Sequence, residues 1–234
     1  MDFGIQIFGR WQITEGFAIY LTETLLVTWI IIGILGAFAI LVKIKSKKWE
    51  AIAKPTGLQN VVELAVDTFD NFFRNSAGTK TAYLAPWFFT LFVFLLIANS
   101  IGLFGLRPPT ADWAMTFPLA ISSLILFQYA GLRHRPKNYI LGFFQPIFIF
   151  FPINLIGELA KPVALSFRLF GNVIGGVILI SLLYGLPPFL ASIGVSMFGL
   201  PAVLHAYFDV AAGLLQAFIF VVLSITFTSL AAED

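Results

Sequence analysis

The chain has 234 residues, 59% of them hydrophobic and only 11% charged, with 27 Phe and a mean hydropathy of +0.93. That is more apolar surface than a globular domain of this size buries, so the composition places the chain in lipid. A scattered net charge of +2, without basic and aromatic residues interleaved, excludes a nucleic-acid partner, and the lack of cysteine excludes disulfides, thiolate nucleophiles and Cys-ligated metals.

In chain order, residues 1–17 lack the basic start, apolar centre and small-residue cleavage site of a signal peptide, and they are expected to be retained as an outer segment. Residues 18–42 are long enough to cross a hydrocarbon core of about 30 Å as a helix, with Glu23 near the start. Lys43, Lys45, Lys47, Lys48 and Lys54 crowd behind that span, which assigns this loop to the cytoplasmic side and the N-terminus to the outside. Residues 58–75 set Leu58, Val61, Val62, Ala65, Phe69, Phe72 and Phe73 at helical spacing opposite Glu63, Asp67, Asp70 and Arg74, the pattern of an amphipathic helix at the inner interface. Residues 81–132 read as a helical hairpin. Its first arm runs outward to Leu106, a proline-stiffened turn follows, and its second arm returns to Arg133, Arg135 and Lys137 on the inside.

The run 139–183 would make a helix of roughly 65 Å, twice a bilayer. Either it breaks near Lys161–Pro162 into two upright spans, or it remains one steeply tilted helix. A Gly/Pro-rich turn separates it from a last long helix over 202–231. No internal repeat is evident, which weighs against a transporter built from two related halves.

Inside this run lies "LSFRLFGN", residues Leu165–Asn172, with an arginine in its middle. After Arg168 no Asp, Glu, Lys or Arg recurs until Asp209. An Arg at the centre of a membrane helix costs roughly 2.5–3.5 kcal/mol on insertion scales and keeps its proton. Such a charge either snorkels or pairs for structural reasons, or serves function. Ala164, Gly171, Asn172 and Gly175 stand three, four or seven positions away, giving Arg168 a face bare of bulk. Small residues so spaced admit another helix, from this chain or from a partner. On the last helix Asp209, Gly213 and Gln216 are spaced to share a face, so that either Asp209 or Gln216 could complete an Arg168 site. Glu158 and Lys161 precede Arg168 at a spacing that also suits a simple ion pair, and Asp112 stands where it would cap the helix after the outer turn. His134 and His205 are far apart in sequence, which leaves an intramembrane enzyme without a nucleophile or metal set.

The two stretches "GELAKPVALSFRLFGN" and "LLQAFIFVVLSITF" resemble subunit a of the F-type ATP synthase membrane sector, and the resemblance covers essentially the whole chain. It implies an all-α integral membrane protein with about five membrane helices and an interfacial helix, the last two membrane helices long and steeply tilted. It favours a single helix through Lys161–Pro162. The implied partners are a ring of c subunits, peripheral-stalk b subunits, the rest of the synthase and membrane lipid. The implied role is non-catalytic and without a cofactor or assigned metal, in a bacterial plasma membrane with the C-terminus in the cytoplasm. In the family, ions enter by one half-channel, ride on a ring carboxylate and leave by a second, with the stator arginine between. That arginine is matched by Arg168, with Asn172 and Gln216 in the positions of the family's amides. Asp209 matches one member of an ionisable pair whose other member, a Glu in many relatives, is Val177 here. Asp112, Glu158, Lys161 and His205 are candidate half-channel residues. With that Glu replaced, protons stay the default coupling ion and sodium the alternative.

Overall fold

The computed structural model describes residues 7–14, 17–47, 49, 57–185 and 200–233. Among these residues five helices are long and apolar enough to cross a membrane, and helix dominates. The exception is an antiparallel hairpin of β1 (Ile7–Thr14) and β2 (Phe17–Thr22), which pairs Ile7 with Thr22 and Thr14 with Phe17. This corrects the expected start of the first span. Residues 18–22 belong to β2, where Ile19, Tyr20 and Thr22 suit an extended chain. Helix α1 (Glu23–Ser46) begins behind them, with the Thr22 hydroxyl accepting from the Leu25 amide at 3.3 Å as its N-cap.

The amphipathic α2 (Gly57–Ala77) buries Phe73 and Ala77 and lays Phe69 and Phe72 against the core, while Asp70 and Arg74 pair on its polar side at 2.6 Å. In its first half Leu58, Val61 and Leu64 remain exposed. A 3₁₀ turn at Ala82–Leu84 leads into α3 (Ala85–Ser100), and a buried 3₁₀ turn at Pro109–Ala111 leads into α4 (Trp113–His134). The His134 imidazole lies 3.1 Å from the Lys80 carbonyl, and residues 75–80 share a cavity with Ser229 and Glu233. The basic end of α4, the start of α3 and the C-terminus therefore lie at one end of the molecule.

The run from Tyr139 is divided, but not at Lys161–Pro162. Tyr139 belongs to the short α5 (Pro136–Gly142), and the chain leaves α-helix over residues 143–150. There the Asn154 amide donates to the carbonyls of Phe143 and Gln145, each at 2.9 Å, which satisfies backbone that has no helical partner. Helix α6 (Phe151–Gly185) then continues unbroken through Pro162 for 35 residues. At 1.5 Å per residue that is about 52 Å, so inside a hydrocarbon layer of about 30 Å it must tilt. The last helix comprises α7 (Leu200–His205), a π-helical turn (Ala206–Ala212) and α8 (Gly213–Ala232).

Helices α3, α4, α6 and α8 and the end of α2 share one core around Phe73, Phe88, Leu95, Leu169, Phe220 and Ile225. Small residues such as Ala120, Ser123, Ala217 and Ser224 line the contacts and let backbones approach in a solvent that offers little hydrophobic drive. Buried hydroxyls bond back to their own helix, as Ser224 does to the Phe220 carbonyl and Thr228 to that of Ser224, both at 2.8 Å.

Candidate functional site

Arg168 lies near the middle of α6 and is exposed. Among the described residues no carboxylate pairs with it and no hydrogen bond holds it, so neither a structural ion pair nor a cap accounts for it. A Cβ built at Gly157, Gly171 or Gly175 meets nothing within 4 Å. Ala164 and Asn172 are exposed as well. Among the described residues, none packs on these glycines. By contrast, a Cβ at the adjacent Gly176 would come 3.2 Å from the Phe208 ring, so that side of α6 is closed by the last helix.

Toward the C-terminal end of α6 from Arg168, the Asn172 amide donates to Gln216 Oε1 at 3.5 Å, a long contact. Gln216 is 4% exposed and its own Nε2 is buried without a partner among the described residues. Further out, the Thr110 hydroxyl donates to Asn99 Oδ1 at 2.7 Å, and Asn99 Nδ2 donates to the Gly213 carbonyl at 2.9 Å. Gly213 is required here, because a Cβ would fall 3.0 Å from that of Asn99. Between these groups is a cavity of about 10 Å³ lined by Asn99, Asn172, Val177, Phe208 and Gly213, room for about one water. Asp209 sits within the π turn, whose i→i+5 pattern departs from the 3.6-residue period of the rest of the helix. The Asp209 side chain lies outside the described residues. His205 ends α7 just before that turn and is half-buried. Asp112 occupies the N-cap position of α4 without capping it through its side chain; it accepts instead from Arg107 at 3.0 Å in the outer turn.

Toward the N-terminal end of α6, a cavity of about 300 Å³ lies between α6 and α8, bordered by Lys161, Ala164, Arg168, Leu223 and Phe227. It shares Gly157 and Lys161 with a second cavity of about 570 Å³ that is also lined by Arg135, Asn138, Tyr139, Glu158 and Leu230. Lys161 donates to Glu158 Oε2 at 2.7 Å and stands 5.4 and 5.2 Å from the ring centres of Phe127 and Phe227. Glu158 Oε1 accepts from Gln128 at 3.3 Å, and Gln128 Oε1 accepts from the Tyr139 hydroxyl at 2.7 Å. Burial first, then the Glu158 charge, pushes the Tyr139 phenol well above its ordinary value, so it keeps its proton.

The fold therefore joins Asn172 to Gln216 and Glu158 to Lys161, gives Asp112 to Arg107, and leaves Arg168 facing outward from the chain. Sequence reasoning missed Asn99, Gln128 and Tyr139. Asn99 and Gln128 stand as lone amides inside apolar runs, which is the available signal, but their partners come from other helices. Among the described residues no group of three or more His, Asp or Glu is placed to hold a metal.

Residues 25–229 match the ATP synthase A chain family. The chain is 36% identical to ATP synthase subunit a of Moorella thermoacetica over 207 residues, 88% of each chain. It is 37% identical to that of Acidothermus cellulolyticus over 185 residues, 76% of this chain and 66% of the relative. It is 33% identical over 224 residues to the Propionigenium modestum protein named ATP synthase subunit a, sodium ion specific, covering 88% of this chain and 72% of that one. Five apolar helices around an outward-facing arginine, and a match that extends over nearly the whole chain, lead to one conclusion: the chain belongs to the ATP synthase A chain family, the non-catalytic membrane-sector subunit of the F-type synthase.

Proposed function

We propose that this chain is the stator of a rotary motor, in which Arg168 faces a ring of c subunits and divides an outer from an inner ion passage. The observation that carries this is an exposed arginine that, among the described residues, has no carboxylate partner and stands in a stripe of glycine and alanine that no described side chain covers. A foreign helix bearing one acid fits both the space and the charge.

The chemistry follows from Coulomb's law. A ring carboxylate that has lost its cation is attracted to the guanidinium by about 4 kcal/mol at ~4 Å and an effective dielectric near 20, whereas one that holds its cation is neutral and is not. Arg168 thus favours the emptied carboxylate beside it and drives the ion off before that carboxylate passes. A free cation in either passage meets the same fixed positive charge and is repelled, which suppresses leakage from one side to the other. Each elementary charge crossing 100 mV carries roughly 2.3 kcal/mol, so several must pass for each ATP made.

The outer passage runs by Asp112, His205, Asp209, Asn172 and Gln216, and the inner one by the two cavities that carry Glu158 and Lys161. The basic end of α4 is cytoplasmic, which places the C-terminus in the cytoplasm and the β hairpin outside the plasma membrane of a bacterium. Peripheral-stalk b subunits and lipid cover the remaining apolar surface, including that of α1.

Protons are the coupling ion on this reading. Sodium is the second reading, favoured by the neutral lining of the outer cavity, where the Asn99 and Asn172 amides offer oxygens and Val177 brings no titratable group, and by the relative named sodium ion specific. Arg168→Ala is expected to abolish ATP-driven ion uptake by the reconstituted synthase while the soluble sector still hydrolyses ATP; retained uptake overturns the proposal. Uptake of labelled sodium with and without a protonophore separates the two ions: sodium uptake that persists with protonophore establishes sodium, and its absence establishes protons.

A further inference from the structure

The inner cavity has a wall that the passage itself does not explain. Gln128 on α4 stands between two titratable groups, accepting from the Tyr139 hydroxyl at 2.7 Å and donating to Glu158 Oε1 at 3.3 Å, while Lys161 holds Glu158 Oε2 at 2.7 Å. The direction of this chain is fixed from the Lys161 end. A carboxylate paired with an ammonium only accepts, so the amide must present its NH₂ to Glu158, its oxygen then faces Tyr139, and the phenol must donate. The amide itself takes up no proton, so its part in this chain is to fix where the Glu158 carboxylate and the Tyr139 hydroxyl stand.

The local sequence is built for this link. Gly131 lies one helical turn beyond Gln128, and a Cβ there would come 2.6 Å from Cδ2 and Cε2 of Tyr139. The ring lies across this bare position, and its hydroxyl thereby reaches Gln128. The groups facing Glu158 are Lys161 on its own helix, Gln128 from α4, Tyr139 from α5 and Arg135 from the junction of those two helices, all but Gln128 lining the larger inner cavity. From α8 that cavity receives Leu230 and Ala231, which carry no charge.

We propose that Gln128 is a positioning residue for the inner passage: it holds the Glu158 carboxylate against Lys161 at the cavity wall and fixes it relative to the Tyr139 hydroxyl. This rests on the reading of that cavity as an ion passage. The test uses the whole synthase in inverted vesicles, whose medium bathes the inner face, and follows the initial rate of ATP-driven charging with a voltage-sensitive dye as the medium pH is varied. Removing a donor disfavours the ionised carboxylate, so Gln128→Leu should move the pH profile upward by roughly one unit, the size of a hydrogen bond to a charged group. Tyr139→Phe and Gly131→Ala should shift it in the same direction by less, because Gln128 still reaches Glu158. An assembled Gln128→Leu synthase with the wild-type profile, or with a rate lowered evenly at every pH, overturns the proposal. If Gln128→Leu does not assemble, unshifted profiles in both other variants overturn it, and shifted ones support it. Arg168→Ala in the same vesicles separates the two levels: charging that survives it sinks the passage reading, whereas charging lost there with an unshifted Gln128→Leu removes this inference alone.

Discussion

Inward of Arg168, α6 borders two open cavities of about 300 and 570 Å³ that carry Arg135, Glu158 and Lys161, whereas outward of it the space narrows to about 10 Å³ among amides and a valine. The inner side is wide, charged and closed by few side chains. The outer side is held shut by Gly176 against Phe208 and by Asn99 against Gly213, contacts that leave room for one water. The comparison teaches that the two routes in the proposed motor are limited by different physics. At the small outer cavity, passage depends on neutral groups at close range; inward, it depends on the balance of fixed charges around a wide cavity.

The largest effect should come from filling the open stripe. Gly171→Leu puts bulk where the chain has none, so its folding stability should change by no more than ~0.5 kcal/mol while ion uptake falls at least tenfold through obstruction of the ring. Normal uptake would mean that nothing passes that face. The companion Gly176→Leu should do the reverse in origin, destabilising the subunit by about 1–3 kcal/mol through overpacking against Phe208, read as lower abundance and earlier thermal loss from the membrane. Next, Glu158→Gln leaves Lys161 without its counter-charge at the inner wall and should lower uptake by roughly tenfold, about 1.4 kcal/mol, with a changed dependence on inner pH. An unchanged rate and profile would take the pair out of the passage. The smallest effect belongs to Asn172→Leu, which loses a 3.5 Å contact to Gln216 and should slow uptake by about threefold, within the range of one neutral hydrogen bond.

Much of this was legible from the amino-acid order. Hydropathy marked the five spans, and the cost of a charge in lipid singled out Arg168 before any geometry was known. The first span was extended backwards through 18–22 because apolar, β-branched residues satisfy a helix window and a strand equally well; the pairing with β1 decides it. The break at 143–150 was missed because residues there are as apolar as their neighbours, and its signal, Asn154 turned back onto two carbonyls, is a contact and not a composition. Pro162 drew suspicion that belonged elsewhere, since a helix within a packed bundle can lose one hydrogen bond and run on. Gln128 and Tyr139 are 11 residues apart and meet only because α5 folds back over Gly131.

The central claim is that the bare stripe beside Arg168 lies against a helix of another subunit, and the chain's lack of cysteine makes this directly measurable. Single cysteines placed at Gly171 and at Gly176 can be tested for disulfide formation with a cysteine next to the ring carboxylate in the assembled synthase. The account predicts rapid cross-linking from position 171 and none from position 176, which faces Phe208 within the chain. No cross-link from 171, or equal cross-linking from both, would contradict it.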